Sequence, residues 1–306
     1  MKIGKVLRRT FIYGTLVVTA PKHCSVPLQP MEDRIVSQVS KGKPAKDILV
    51  LDCFKDNNID IDIDMKGDIP HGYLTSKIIE DGLPNANVYK KSFPDVFIGQ
   101  YEHIKDSVTT PLFKEMRAGK KYDAVNLSLG KEMTFEDMSE MVGEEITPKN
   151  VASKRRKIKN FLINNPDYTV ATDYFFLKTK AKEITEIINC MDSLSARGTK
   201  IYVAAGNSGK ENFNLLSLID NSITVGALDK NGKKAYYSTD HSLVKKWKKG
   251  IIPLKKTEYG YQLKFDNSTK DIEENQTTGF WHVGIGNKKG TSYSCPRAIV
   301  DDFKGE

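Results

Sequence analysis

Asp47-Ile48-Leu49-Val50-Leu51-Asp52 is the stretch on which the fold turns. Its central residues are an unbroken apolar run of strand length, without the polar alternation of a half-exposed strand. Such a run suits a strand buried on both faces, as in a parallel sheet covered by helices. The run ends in a carboxylate, and open α/β sheets carry functional groups at the carboxyl ends of their strands. Asp52 is therefore the first candidate site residue.

Downstream, strand-like and helix-like segments alternate. After Pro70, His71-Gly72 opens a stretch to Glu80 with Leu74, Ile78 and Ile79 on one helical face, so His71 falls in a first turn. Ala86 to Tyr89 reads as a short strand, and Gly99 to Met116 as mostly helical, ended or kinked in part by Pro111. Ala124 to Leu129 is an apolar strand running into Ser128-Leu129-Gly130. Ala181, Ile184, Ile187, Ile188, Met191 and Leu194 recur at helical spacing and stop before Gly198, a C-cap residue. Lys200 to Ala205 is a strand again, followed by the turn Gly206-Asn207-Ser208-Gly209, and Ser222 to Val225 precedes Gly226-Ala227. The alternation implies an α/β domain with a mostly parallel central sheet and helices on both faces.

Near the end stands Gly290-Thr291-Ser292-Tyr293-Ser294-Cys295-Pro296, a serine among small polar residues with a proline four positions later. At a helix start the first N–H groups have no partners within the helix, and the positive end of the dipole can face an oxyanion. Such a serine is a nucleophile only if a base takes its proton.

Length and composition set the bounds. The chain has 306 residues, 39% hydrophobic and 28% charged, which excludes a disordered or membrane-spanning class. The net charge of +8 is spread over scattered lysines as well as clusters, and reads first as solubility. Cys24, Cys53, Cys190 and Cys295 show no C-x-x-C pairing, which argues against a zinc ribbon or a dense disulfide scaffold. No apolar run is long enough for an integral membrane segment.

Lys2, Lys5, Arg8 and Arg9 precede the mildly apolar run Thr10 to Ala20, so residues 1–20 read as a signal segment. That implies a secreted or otherwise extracytoplasmic protein. The alternative is a short N-terminal arm on a cytoplasmic one. Residues 21–46 read as a leader or linker, and the domain runs from 47 to 306. Polar stretches at about 131–177, with Lys154-Arg155-Arg156-Lys157, and 245–276, with Lys245-Lys246-Trp247-Lys248-Lys249, read as solvated insertions on the rim. No nucleic acid is expected at them. Asp60, Asp62, Asp64 and Asp68 offer oxygen ligands for calcium, but without the glycine and distal glutamate of an EF-hand loop they read as a solvated acidic loop.

Taken together, these segments resemble the subtilisin-like serine proteases, the subtilases. Asp52 ends the first core strand; His71-Gly72 opens a helix. Val125-Asn126-Leu127-Ser128-Leu129-Gly130 is similar to the family's substrate-pairing strand, and Ala204-Ala205-Gly206-Asn207-Ser208-Gly209 to its oxyanion-asparagine segment. Ile223 to Ala227 with Tyr237-Ser238 fits the next strand and turn, and Gly290 to Pro296 the nucleophile motif, all in the family's chain order. The resemblance implies a subtilisin-like three-layer fold and a serine endopeptidase acting through Asp52, His71 and Ser292, with Asn207 as oxyanion donor. Ser128, Leu129 and Gly130 would bind an extended polypeptide substrate by adding it as a strand. No cofactor is implied for catalysis. Two other readings stay open: a catalytically impaired subtilase-like scaffold, and a basic surface binder whose binding would fall with salt.

Overall fold

The computed structural model describes residues 44–52, 54, 71–92, 112, 115, 118–170, 179–252, 254–257, 260–263 and 288–304. They all belong to the compact unit Pro44–Glu306. Residues 1–43, the acidic loop at 60–68 and most of the helix expected at 99–116 lie outside the described residues.

The apolar run forms strand β1, Asp47–Asp52, and helix α1, His71–Gly82, follows. Then come β2, Asn87–Ser92, and β3, Ala124–Leu127. Helices α2, Phe135–Val142, α3, Val151–Asn164, and α4, Ala181–Ala196, precede β4, Lys200–Ala204. Strands β5, Ile223–Leu228, and β6, Val244–Lys249, lead to helix α5, Thr291–Lys304. The 6-stranded sheet has the order β6-β5-β4-β3-β1-β2, and every pair in it is parallel.

Side-chain alternation divides β1 between two cores. Leu49 and Leu51 join Val125, Leu127, Ile201 and Val203 on one face, under the apolar stripes of α2, α3 and α4. Ile48 and Val50 join Tyr202, Ala204 and Val225 on the other, against Ile79 of α1 and Ala298 and Ile299 of α5. A strand with both faces buried has no position left for polar residues, which is why its sequence does not alternate. The helix read from Ala181 to Leu194 is α4; Ala181, Ile184, Ile188, Met191 and Leu194 are buried, and Gly198 takes a left-handed φ of 92° just beyond it.

Two sequence expectations need correction. The basic run at 245–249 is not part of a solvated insertion but lies in β6, the edge strand of the central sheet. Its Trp247 lies over Gly226 of β5, where any β-carbon would collide with the indole. Lys246 and Lys248 pair with Asp302 and Asp301 at the end of α5. The run looked like a surface patch because its carboxylate partners lie more than fifty residues away. Likewise, the polar stretch after Lys131 is solvated only on its charged side. Met138, Met141, Val151, Ile158 and Leu162 of α2 and α3 sit in the larger core.

Candidate active site

The carboxyl end of β1 presents Asp52, which is 1% exposed. Helix α1 begins at His71, and His71 Nδ1 lies 2.6 Å from Asp52 Oδ1. Thr75, one helical turn further on and so on the same face, donates its hydroxyl to Asp52 Oδ2 at 2.8 Å. A single turn of helix thus supplies a partner to each oxygen of a buried carboxylate, which would otherwise be costly to desolvate. An Asp52 carboxylate at Nδ1 selects the tautomer with the proton there, leaving Nε2 as the basic nitrogen.

Helix α5 starts at Thr291-Ser292 and packs against α1. The ring of Tyr293 lies 5.4 Å, centre to centre, from the His71 imidazole, so Ser292 belongs to the turn beside it. Pro296 has no N–H and cannot serve the carbonyl four residues back, that of Ser292. Ser128 does so instead: its hydroxyl donates to Ser292 O at 2.7 Å, and Asn126 Nδ2 donates to that hydroxyl at 2.9 Å. The proline therefore frees a carbonyl by which the serine's helix is tied to the end of β3. Burial pushes the Cys295 thiol well above its ordinary range, keeping it protonated and unreactive beneath the site.

Asn207 is held from two sides. Its Oδ1 accepts from the Thr291 N–H at 2.8 Å and from the Thr291 hydroxyl at 3.0 Å. With Oδ1 so engaged, Nδ2 is the end of the amide left to donate. From the other side, Glu132 takes the backbone N–H groups of Asn207 and Ser208 on its two oxygens, at 2.7 and 3.1 Å. Glu132 opens a short strand, Glu132–Thr134, antiparallel to Asn212–Asn214. Behind this ladder His241 packs on Phe213, ring centres 4.8 Å apart, and burial lowers its pKa to about 4. Its Nδ1 accepts from Leu243 N–H at 3.2 Å, and its Nε2 is buried without a hydrogen-bond partner among the described residues. Lys131, just past Gly130, is also lowered by burial, to about 8, with Glu183 opposing the shift.

The sequence-derived residues thus fall into one neighbourhood. Asp52 and His71 touch, Ser292 lies on the adjoining helix, and Asn207 and Ser128 are bonded to the turn that carries it. Leu129 and Gly130 follow Ser128 beyond the end of β3. Thr75 and Glu132 were not among the sequence candidates. The spacing of four from His71 was a usable signal for Thr75; Glu132 had none. Among the described residues no group of three or more His, Cys, Asp or Glu side chains could hold a metal ion, and no helix is long and apolar enough to cross a membrane.

The profile of the Subtilase family, Peptidase S8, matches residues 66–298, and the chain belongs to that family of serine proteases. His71, Asn207 and Ser292 lie inside the match; Asp52 precedes it and contacts His71. Among solved structures the chain is similar to the prenylagaramide maturation protease PagA, with 17% identity over 85% of this chain and 75% of that one, TM-score 0.43. It is similar also to a lanthipeptide protease, with 14% identity, coverage of 86% and 73%, and TM-score 0.46. A third is the epidermin leader peptide processing serine protease EpiP from Staphylococcus aureus, with 11% identity, coverage of 84% and 64%, and TM-score 0.48. No curated protein sequence matches the chain.

Proposed function

We propose that this subtilase is a serine endopeptidase that cleaves polypeptides through Asp52, His71 and Ser292. Ser292 Oγ attacks the scissile carbonyl while His71 Nε2 takes its proton, and the resulting imidazolium is stabilised by Asp52. The tetrahedral oxyanion accepts hydrogen bonds from Asn207 Nδ2 and the Ser292 N–H, a pair of donors fixed before the charge develops. His71 then protonates the leaving amine, and water, deprotonated by the same imidazole, releases the acyl group from Ser292. Ser128 to Gly130 align the substrate as an added strand. No cofactor takes part. The basic and apolar segment at residues 1–20 supports export as the setting in which the enzyme works.

The observation that carries the reading is the 2.6 Å contact of His71 Nδ1 with the buried Asp52, His71 lying on the helix packed against the one that starts at Thr291. Hydrolysis of an unfolded polypeptide by the full chain tests it. The wild type cleaves, Ser292→Ala is folded and inert, and an activated ester gives a burst of one product per enzyme. Equal turnover by Ser292→Ala would sink the mechanism, and a folded wild type with no turnover would favour a scaffold role.

A further inference from the structure

We infer that Asn214 closes the side-chain slot on the acyl side of the scissile bond, so that this peptidase cleaves after glycine, alanine or serine. The inference rests on the endopeptidase reading above. A peptide laid along Ser128–Gly130, with its reacting carbonyl in reach of Ser292 and Asn207, sets the residue bearing that carbonyl between two walls. One wall is Ser128–Gly130, beyond the end of β3. The other is Ala204–Gly206, which starts at the last residue of β4 and leads to Asn207. The side chain of that residue must turn away from His71, which needs access to the leaving amine, and so enters the slot between the walls.

Asn214 occupies that slot. Its Nδ2 donates to Ala204 O at 2.6 Å and to Leu129 O at 3.3 Å, so the carboxamide spans both walls. Its Oδ1 accepts from the Leu216 N–H at 3.0 Å, and the residue is 1% exposed. The fill is tight: a β-carbon at Gly130 would lie 2.2 to 2.3 Å from atoms of the carboxamide. Swinging it aside would leave two carbonyls and a buried N–H without that partner, a cost that a large substrate side chain must overcome. Small residues need no such movement.

The test is a series of fluorogenic peptides differing only in the acyl-side residue, Gly, Ala, Ser, Leu or Phe, with enzyme concentration set by fluorophosphonate titration. The expected result is kcat/KM at least about tenfold higher for Ala than for Leu or Phe. Asn214→Ala, which opens the slot, should raise the Leu and Phe rates at least about tenfold relative to Ala. Equal wild-type rates for Ala and Phe would overturn the inference whether or not the variant folds. So would a folded, titratable Asn214→Ala with an unchanged profile. Failure of the wild type to react with fluorophosphonate would instead overturn the peptidase reading, and this inference with it.

Discussion

The two sides of the site are each organised by a carboxylate, but the carboxylates hold different things. On the side of α1, Asp52 is buried and receives side chains: the His71 ring and the Thr75 hydroxyl, both from one helical turn. On the side of the Asn207 loop, Glu132 is half-buried and receives backbone N–H groups from Asn207 and Ser208. The first arrangement fixes a proton's position on a ring; the second fixes the course of a loop and so the position of an amide donor. A base must be oriented by charge, because it becomes charged during the reaction. An oxyanion donor need only be held still, because its dipole is already aimed.

That contrast can be broken by substitution. His71→Ala should lower kcat by about 10⁴ to 10⁶-fold, since a serine and its base act as a unit, with circular dichroism unchanged. Asn207→Ala should lower kcat by about 10²–10³-fold and leave KM nearly unchanged, the mark of a donor that works in the transition state. A pure KM effect would remove Asn207 from the oxyanion role.

Acid should loosen the Asn207 side through His241. Burial holds His241 at about 4, against an ordinary 6.5. Above pH 6.5 it is neutral in both the folded and unfolded chain, and its contribution to stability is fully present. As pH falls towards 4 only the unfolded chain takes the proton, so stability falls by about 3 kcal/mol before levelling off. Urea midpoints measured from pH 7 to pH 4 should show this loss in the wild type and a flatter profile in His241→Gln.

The smallest effect separates Thr75 from the reacting groups. Thr75→Val, which leaves one oxygen of Asp52 without its hydroxyl donor, should cost about 2 kcal/mol of stability and about tenfold in kcat. Thr75→Ser should restore both. An unchanged kcat in Thr75→Val would reduce the residue to a structural one and weaken the contrast drawn above.

Much of the parallel sheet was legible because both its faces are buried: β1 and β4 show it as apolar runs, and α4 as a stripe ending before Gly198. The segments around Asn207 and Ser292 were legible because small residues and glycines are needed where chain segments meet closely. Partnerships across the fold were not. Glu132 is 75 and 76 residues from the N–H groups it binds, and its sequence surroundings resemble any polar loop. The lysines of β6 looked free for the same reason, with their aspartates at the far end of α5. Asn214 gave no sign either, because its carboxamide acts only where β3 and β4 have been brought side by side.

The central claim is that His71 and its carboxylate turn Ser292 into a nucleophile. Fluorophosphonate labelling of the full chain, with the modified peptide mapped by mass spectrometry, tests this most directly. The account predicts labelling confined to Ser292 and lost in His71→Ala. A folded wild-type protein that takes no label, or a label that persists undiminished in His71→Ala, would contradict it.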